Sequence, residues 1–225
     1  KELEPDKTYY YCWCIHQAGA GYYYGETKQF RTCHPYSFPT ELDMAAAEDL
    51  SSAASANCYI VSKPGLYKFK AVKGNSDDMV GEVASSSLLW ETFGTRETPA
   101  ACDIINATWY EDGYIAFETS EQFREGNASI AARDEDGNIL WSWHIWLTDP
   151  PCGQVFYNDA GTMMDRNLGA TSLDHDDVTT CGLVYQWGRK DPFMGSASLT
   201  STLYPASTSA SWPEPLKPDL LICNI

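Results

Sequence analysis

Apolar and polar residues alternate with a period of two along most of the first 150 residues, and the spacing of an amphipathic helix is scarce. Over 8–16 the alternation places Tyr9, Tyr11, Trp13 and Ile15 on one face of a strand and Tyr10, Cys12, Cys14 and His16 on the other. A turn at Gly19-Ala20-Gly21 and a return strand over 22–32 complete a hairpin. Three further hairpins are predicted. They pair 58–62 with 67–73 about Lys63-Pro64-Gly65, 104–110 with 114–119 about Glu111-Asp112-Gly113, and 128–133 with 139–148 about 134–138. Residues 35–56 read as a connector in which the Ala- and Glu-rich stretch 42–50 permits a short helix. After Pro150-Pro151 the composition shifts toward Gly, Asp, Ser and Thr, and 196–211 is a polar tract of low complexity. The pattern predicts an all-β chain built on an antiparallel, hairpin-rich β-sandwich at 57–150. A hairpin unit at 1–33 and a linker at 34–56 precede it, and an incomplete, loop-rich module at 151–225 follows.

The strand over 139–147 carries Trp141, Trp143, Ile145 and Leu147 on one face and Leu140, Ser142, His144 and Trp146 on the other. Both faces are apolar enough to need cover, so this is expected to be a central strand, with Trp141 and Trp143 buried between two sheets. The alternative is a row of exposed indoles on which sugar rings stack.

Charge narrows the partners. With 31 Asp and Glu against 15 Lys and Arg, the net charge of −16 repels a phosphate backbone or an anionic membrane, so nucleic acid is excluded as a partner. No apolar run approaches the length of a membrane span. The eight cysteines show no CxxC pair, which argues against zinc. They leave two readings open: buried or free thiols, or a partial disulfide framework.

Few residues carry chemistry. Ser142, His144 and Asp149 have the residue types of a hydrolytic triad, but strand neighbours two apart stand roughly 7 Å apart, beyond nucleophile-to-base reach, and no GxSxG elbow is present. The acidic turn 134–138 has Ile139 where a calcium loop needs Gly and Ile145 where it needs Glu, so it is read as a hairpin turn. Asp174, Asp176 and Asp177, with His175 between them and Asp165 upstream, form the strongest metal candidate. Calcium suits that set better than zinc; no other cofactor is expected. Arg166 and Arg189 either pair internally with Asp165 and Asp191 or, together with Trp146 and Trp187, contact a ligand.

Two resemblances add to this reading. Leu3-Glu4-Pro5, Thr8-Tyr9-Tyr10-Tyr11, Tyr24-Gly25-Glu26-Thr27 and Phe30-Arg31-Thr32 resemble the last two strands of a fibronectin type III domain, with Tyr9 as its tyrosine corner. Further along, Asn57-Cys58-Tyr59-Ile60-Val61, Gly65-Leu66-Tyr67-Lys68-Phe69, Gly137-Asn138-Ile139-Leu140-Trp141-Ser142-Trp143, Met164-Asp165-Arg166-Asn167-Leu168-Gly169-Ala170 and Gly182-Leu183-Val184-Tyr185-Gln186-Trp187-Gly188-Arg189-Lys190-Asp191-Pro192-Phe193 are similar to Bacteroidota surface proteins. Those proteins are fimbrillin-like or carry the major paralogous domain. The resemblance implies export, attachment to the cell surface or outer membrane, and adhesion or assembly; it implies no catalytic residues. The expectation is a non-catalytic adhesion or fimbria-like assembly module whose partner is a host or microbial surface protein or a glycan. Its export signal is expected to lie outside this chain, and its first and last modules to be incomplete. The alternatives are a carbohydrate-recognition module for polysaccharide capture and an accessory region of a secreted hydrolase.

Overall fold

The computed structural model describes residues 3–4, 7–17, 19, 21–31, 42–97, 99–100 and 102–194. The polar tract at 196–211, Cys33 and Cys223 lie outside these residues. The described chain is almost all sheet, with no α-helix among the described residues. Among the described residues no helix is long and apolar enough to cross a membrane.

The first four strands are β1 (Thr8–Tyr11), β2 (Cys14–Gln17), β3 (Gly21–Tyr24) and β4 (Lys28–Arg31). β1 pairs antiparallel with β4 and β2 with β3, which makes the single hairpin that the alternation predicts, interrupted at Cys12 and Trp13. At that break the Gly25 N–H donates to the Trp13 carbonyl at 2.9 Å, and a Cβ on Gly25 would sit 2.4 Å from the Trp13 indole. Glycine is what lets the ring lie there. The Tyr9 hydroxyl accepts from the Glu4 N–H at 2.6 Å, a contact of the tyrosine-corner kind. Tyr11, Trp13 and Ile15 remain more than half exposed.

The next strands are β5 (Glu48–Asp49), β6 (Cys58–Val61), β7 (Leu66–Lys70), β8 (Ser85–Thr92), β9 (Ile105–Glu111), β10 (Tyr114–Thr119), β11 (Gly126–Arg133) and β12 (Ile139–Leu147). They form two four-stranded sheets, ordered β5-β7-β10-β9 and β6-β12-β11-β8. The inner faces meet in one aromatic core. Tyr59 stacks on Phe69 at 4.8 Å, and Phe69 lies 5.1 Å from Trp143 and 6.2 Å from Phe117. Ile115, Ile130, Trp141, Ile145 and Leu147 complete the packing. Trp141 and Trp143 are both buried, as their strand's two-sided apolar pattern requires.

Two of the three predicted sandwich hairpins form. β9 and β10 close about Asp112 and Gly113, both at positive φ (47° and 81°), and β11 and β12 close about 134–138. In the second turn, the Asn138 N–H donates to Asp134 at 2.8 Å. The third does not form. β7 pairs with β10, whereas β6 joins the opposite sheet beside β12, so Lys63-Pro64-Gly65 is a crossover between sheets. Its geometry is fixed by the Tyr67 hydroxyl, which donates to the Lys63 carbonyl at 2.9 Å, and by the Gly65 N–H, which donates to Thr119 at 2.9 Å. Pro and Gly supply the same dihedrals to a crossover as to a hairpin. One consequence departs from a purely antiparallel sandwich: β6–β12 and β5–β7 are parallel pairs at the sheet edges. β5 lies inside the stretch read as linker, where Leu42 and Ala47 are buried as well.

β8 has no counterpart among the predicted strands. It supplies Glu91, whose carboxylate accepts from the Ile105 N–H at 2.7 Å. Burial pushes this carboxyl up to about 7; the hydrogen bond opposes the shift and Asp103 adds to it. The folded value lies above the ordinary one, so the folded state holds its proton longer than the unfolded chain. Stability from this group is complete below the ordinary carboxylate range and is lost as pH rises through about 7. Glu91→Gln is therefore expected to leave stability nearly unchanged at pH 4 and to raise it by about 3 kcal/mol at pH 8, read from urea unfolding at both values.

β11 and β12 are buried on both faces. The outer face of their sheet lies under residues 165–193, here called the strap. The strap follows a small hairpin of β13 (Gly153–Val155) and β14 (Thr162–Met164). It folds back on itself where the Leu183 N–H donates to the Leu168 carbonyl at 2.9 Å. Gly182, at φ 67°, allows that approach, since a Cβ there would lie 2.4 Å from the Leu168 oxygen.

Candidate functional site

The chemistry-bearing side chains converge between the outer face of β12 and the strap. The parallel register of β6 on β12 sets Cys58 beside His144, and the antiparallel register of β11 sets Asn127 opposite Trp146. The Asn127 amide nitrogen donates to the Gly169 carbonyl at 2.9 Å, so its oxygen faces His144 Nε2 at 2.8 Å. That nitrogen must carry the imidazole proton. The bare Nδ1 then accepts from the Cys58 thiol at 3.1 Å. Burial pushes the Cys58 thiol up to about 12 and the His144 imidazole down to about 3, so the proton stays on sulfur.

A second network lies two residues back along β12. The Ser142 hydroxyl donates to the Asp191 carboxylate at 2.6 Å. Lys190 Nζ donates to the Ser142 carbonyl at 2.9 Å and contacts the Asp191 carboxylate, with both charged side chains almost wholly buried. It also lies 4.4 Å from the Trp141 ring centroid. Burial lowers the Lys190 pKa, and Asp191 opposes the shift. At the head of the strap, Arg166 donates to both oxygens of Asp149, at 2.6 and 3.2 Å, and to Asp165 at 2.9 Å. These hydrogen bonds hold both carboxyls below the ordinary range.

The residues singled out in the sequence are thus distributed as follows. Ser142, His144 and Asp149 belong to three separate networks and form no triad. Trp146 is fully buried and donates to the Ala170 carbonyl at 3.2 Å, so no ligand reaches it while the strap is closed. Arg166 pairs with Asp165, as one of the two readings has it, and with Asp149. The internal partner expected for Arg189 is taken by its neighbour: Lys190 binds Asp191, and the Arg189 guanidinium sits 4.4 Å over the Phe193 ring. Trp187 is 89% exposed.

Asp174, His175 and Asp176 come together, with one ligand atom from each within 4.8 Å of the others, and all three are exposed. Asp177 is turned to another task. It caps a short 3₁₀ turn by accepting from the Thr179 N–H at 2.9 Å and the Thr179 hydroxyl at 2.8 Å. Three exposed single-atom ligands leave a cation mostly hydrated. Millimolar calcium is expected to move the melting temperature by less than about 1 °C, and a rise of several degrees would overturn this reading.

Sequence reasoning missed the Cys58–His144–Asn127 chain. Cys58 and His144 stand 86 residues apart, and only the parallel β6–β12 pair joins them. Elsewhere, a groove of about 340 Å³ lies among Phe93, Thr95, Glu97, Arg124, Glu125 and Thr179. Its aromatic floor is already covered, since the Arg124 guanidinium stacks 3.6 Å above Phe93 and binds both oxygens of Glu97, at 3.0 and 3.1 Å. No protein-family model matches the chain, and neither a curated protein nor a solved structure matches it.

Proposed function

We propose that this chain is a non-catalytic module of an exported surface protein, working in adhesion or in the assembly of a fimbria-like structure. The observation that carries this reading is the division between what is buried and what is displayed. The His144 imidazole, the Ser142 hydroxyl and the Lys190 amine of the two β12 networks are buried beneath the strap, and the half-buried Cys58 thiol is hydrogen-bonded to His144 and keeps its proton. A nucleophile needs a lowered pKa or a base able to take its proton, and Cys58 has neither. Large apolar side chains are displayed instead. Tyr10, Trp13, Tyr22 and Tyr24 on the first hairpin, Val155 and Tyr157 on the β13–β14 hairpin, and Trp187 are all more than half exposed. Exposed apolar surface on this scale serves contact with other molecules. The Tyr9 contact to Glu4 fits the fibronectin-like reading of the first hairpin, and cell-surface location follows from the surface-protein resemblance.

The test is binding of the purified chain to immobilised surface proteins, to itself and to a glycan array. The expected result is saturable protein binding or self-association that weakens when Trp13 and Tyr24 are replaced by serine. Binding that depends on one sugar and survives those replacements would shift the assignment to polysaccharide capture. Turnover of any ester, amide or glycoside substrate, abolished by Cys58→Ala, would overturn it.

A further inference from the structure

The two faces of β12 are covered by different kinds of chemistry. Its inner face (Trp141, Trp143, Ile145, Leu147) packs into the aromatic core, whereas its outer face meets the strap through a set of hydrogen bonds beside the buried Ala170 and Leu183. Those contacts are Asn127 to Gly169, Trp146 to Ala170, and Ser142 to Lys190 and Asp191. The inter-sheet core contains no strap residue, so the strap can lift as a local unit while the sandwich stays folded. One group at the centre of the covered face requires dryness and neutrality at once: His144, whose Nδ1 lone pair holds the Cys58 thiol and whose Nε2–H holds Asn127, itself the anchor of Gly169. We propose that the 165–193 strap is an acid-releasable cover and that protonation of His144 opens it.

The groups that face His144 make it the sensor. β6 presents Cys58, β11 presents Asn127 and Ser129, which do not titrate, and its own strand presents Ser142 and Trp146. The strap contributes Tyr185, pushed up by burial and by its nearness to Cys58 and Asp191, together with the Lys190–Asp191 pair at Ser142. Among the described residues no carboxylate bonds to the imidazole, so none of them welcomes an imidazolium. A proton on Nδ1 removes the bond to Cys58 and sets a charge in a dry site. Closed, the imidazole is held near 3; open and hydrated, it returns to its ordinary value of about 6.5. Opening therefore takes up a proton, and the open population is expected to rise roughly a hundredfold between pH 7 and pH 4.5. The Arg166 anchor persists over that range, because Asp149 and Asp165 are held below the ordinary carboxylate range.

The experiment reads Cys58 as the reporter. The full chain is labelled with 4,4′-dithiodipyridine, which reacts in acid, and labelling is resolved by peptide mass, with exposed Cys14 as the internal reference. The Cys58-to-Cys14 rate ratio is expected to rise at least tenfold from pH 7 to pH 4.5. In His144→Gln the ratio should stay flat, since the amide can donate to Asn127 and accept from Cys58 without ever charging. A wild-type ratio that holds constant to pH 4.5, or a Gln variant that opens at the same pH as wild type, overturns the proposal. Should the variant not fold, ¹⁵N imidazole shifts of the wild-type chain decide: His144 charging in step with Cys58 exposure supports the device, and His144 remaining neutral through the transition refutes it.

Discussion

Truncation of Trp143 to alanine is expected to lower the free energy of unfolding by about 3–5 kcal/mol, the largest loss of any single core change. The indole is buried between the sheets, 5.1 Å from Phe69, which is itself held between Tyr59 and Phe117. Rings locked on several sides cannot collapse into the space left behind, so the cavity adds to the lost transfer energy. The indole N–H has no partner among the described residues, and so Trp143→Phe gives up area but no hydrogen bond and is expected to cost less than half as much. Urea midpoints at constant slope measure both. A loss below about 1 kcal/mol for the alanine variant would mean that Trp143 is not a core residue.

Asp191→Ala is expected to cost about 3–5 kcal/mol, because it strands the Lys190 ammonium in a dry site with no counter-charge, held only by Ser142 and the Trp141 ring. Replacing both partners, Lys190→Met with Asp191→Leu, should be close to neutral: the charges leave together and the desolvation cost leaves with them. Unfolding curves of the two singles and the double give the coupling directly. If the double variant is as damaged as the single, the pair is not what holds that end of the strap.

The parts of the fold that were legible are those whose signal is local. Nine residues with apolar side chains on both faces made β12 a two-sided strand, and Asp112-Gly113 between two strand-forming runs made a hairpin. The Lys63-Pro64-Gly65 turn misled because a turn's dihedrals say that the chain reverses and not which sheet it enters. β8 was hidden by its opening Ser85-Ser86-Ser87, poor strand formers that are ordered by pairing with β11. The same distinction governs the candidate site. Arg166 and Asp165 are neighbours in sequence and could be paired by inspection, whereas the partners of Cys58 and Asn127 depend on strand registers that no short window contains. The choice of Lys190 over Arg189 for Asp191 rests on which of the two side chains the folded strap brings to Ser142, and the residue types alone do not encode it.

The parallel pairing of β6 with β12 also sets a clock. Cys58 and His144 are 86 residues apart, so at ribosomal rates of about 5–20 residues per second, β6 is made roughly 4–17 s before the strand it pairs with. Throughout that interval Tyr59 and Val61 have no sheet to enter, and the loop that must close to bring them home is among the longest in the domain. Topologies dominated by such distant pairings fold in milliseconds to seconds even once complete. The nascent chain therefore carries an unpaired apolar strand until residue 147 has emerged, which makes this stretch of synthesis the point at which a holdase chaperone has most to bind.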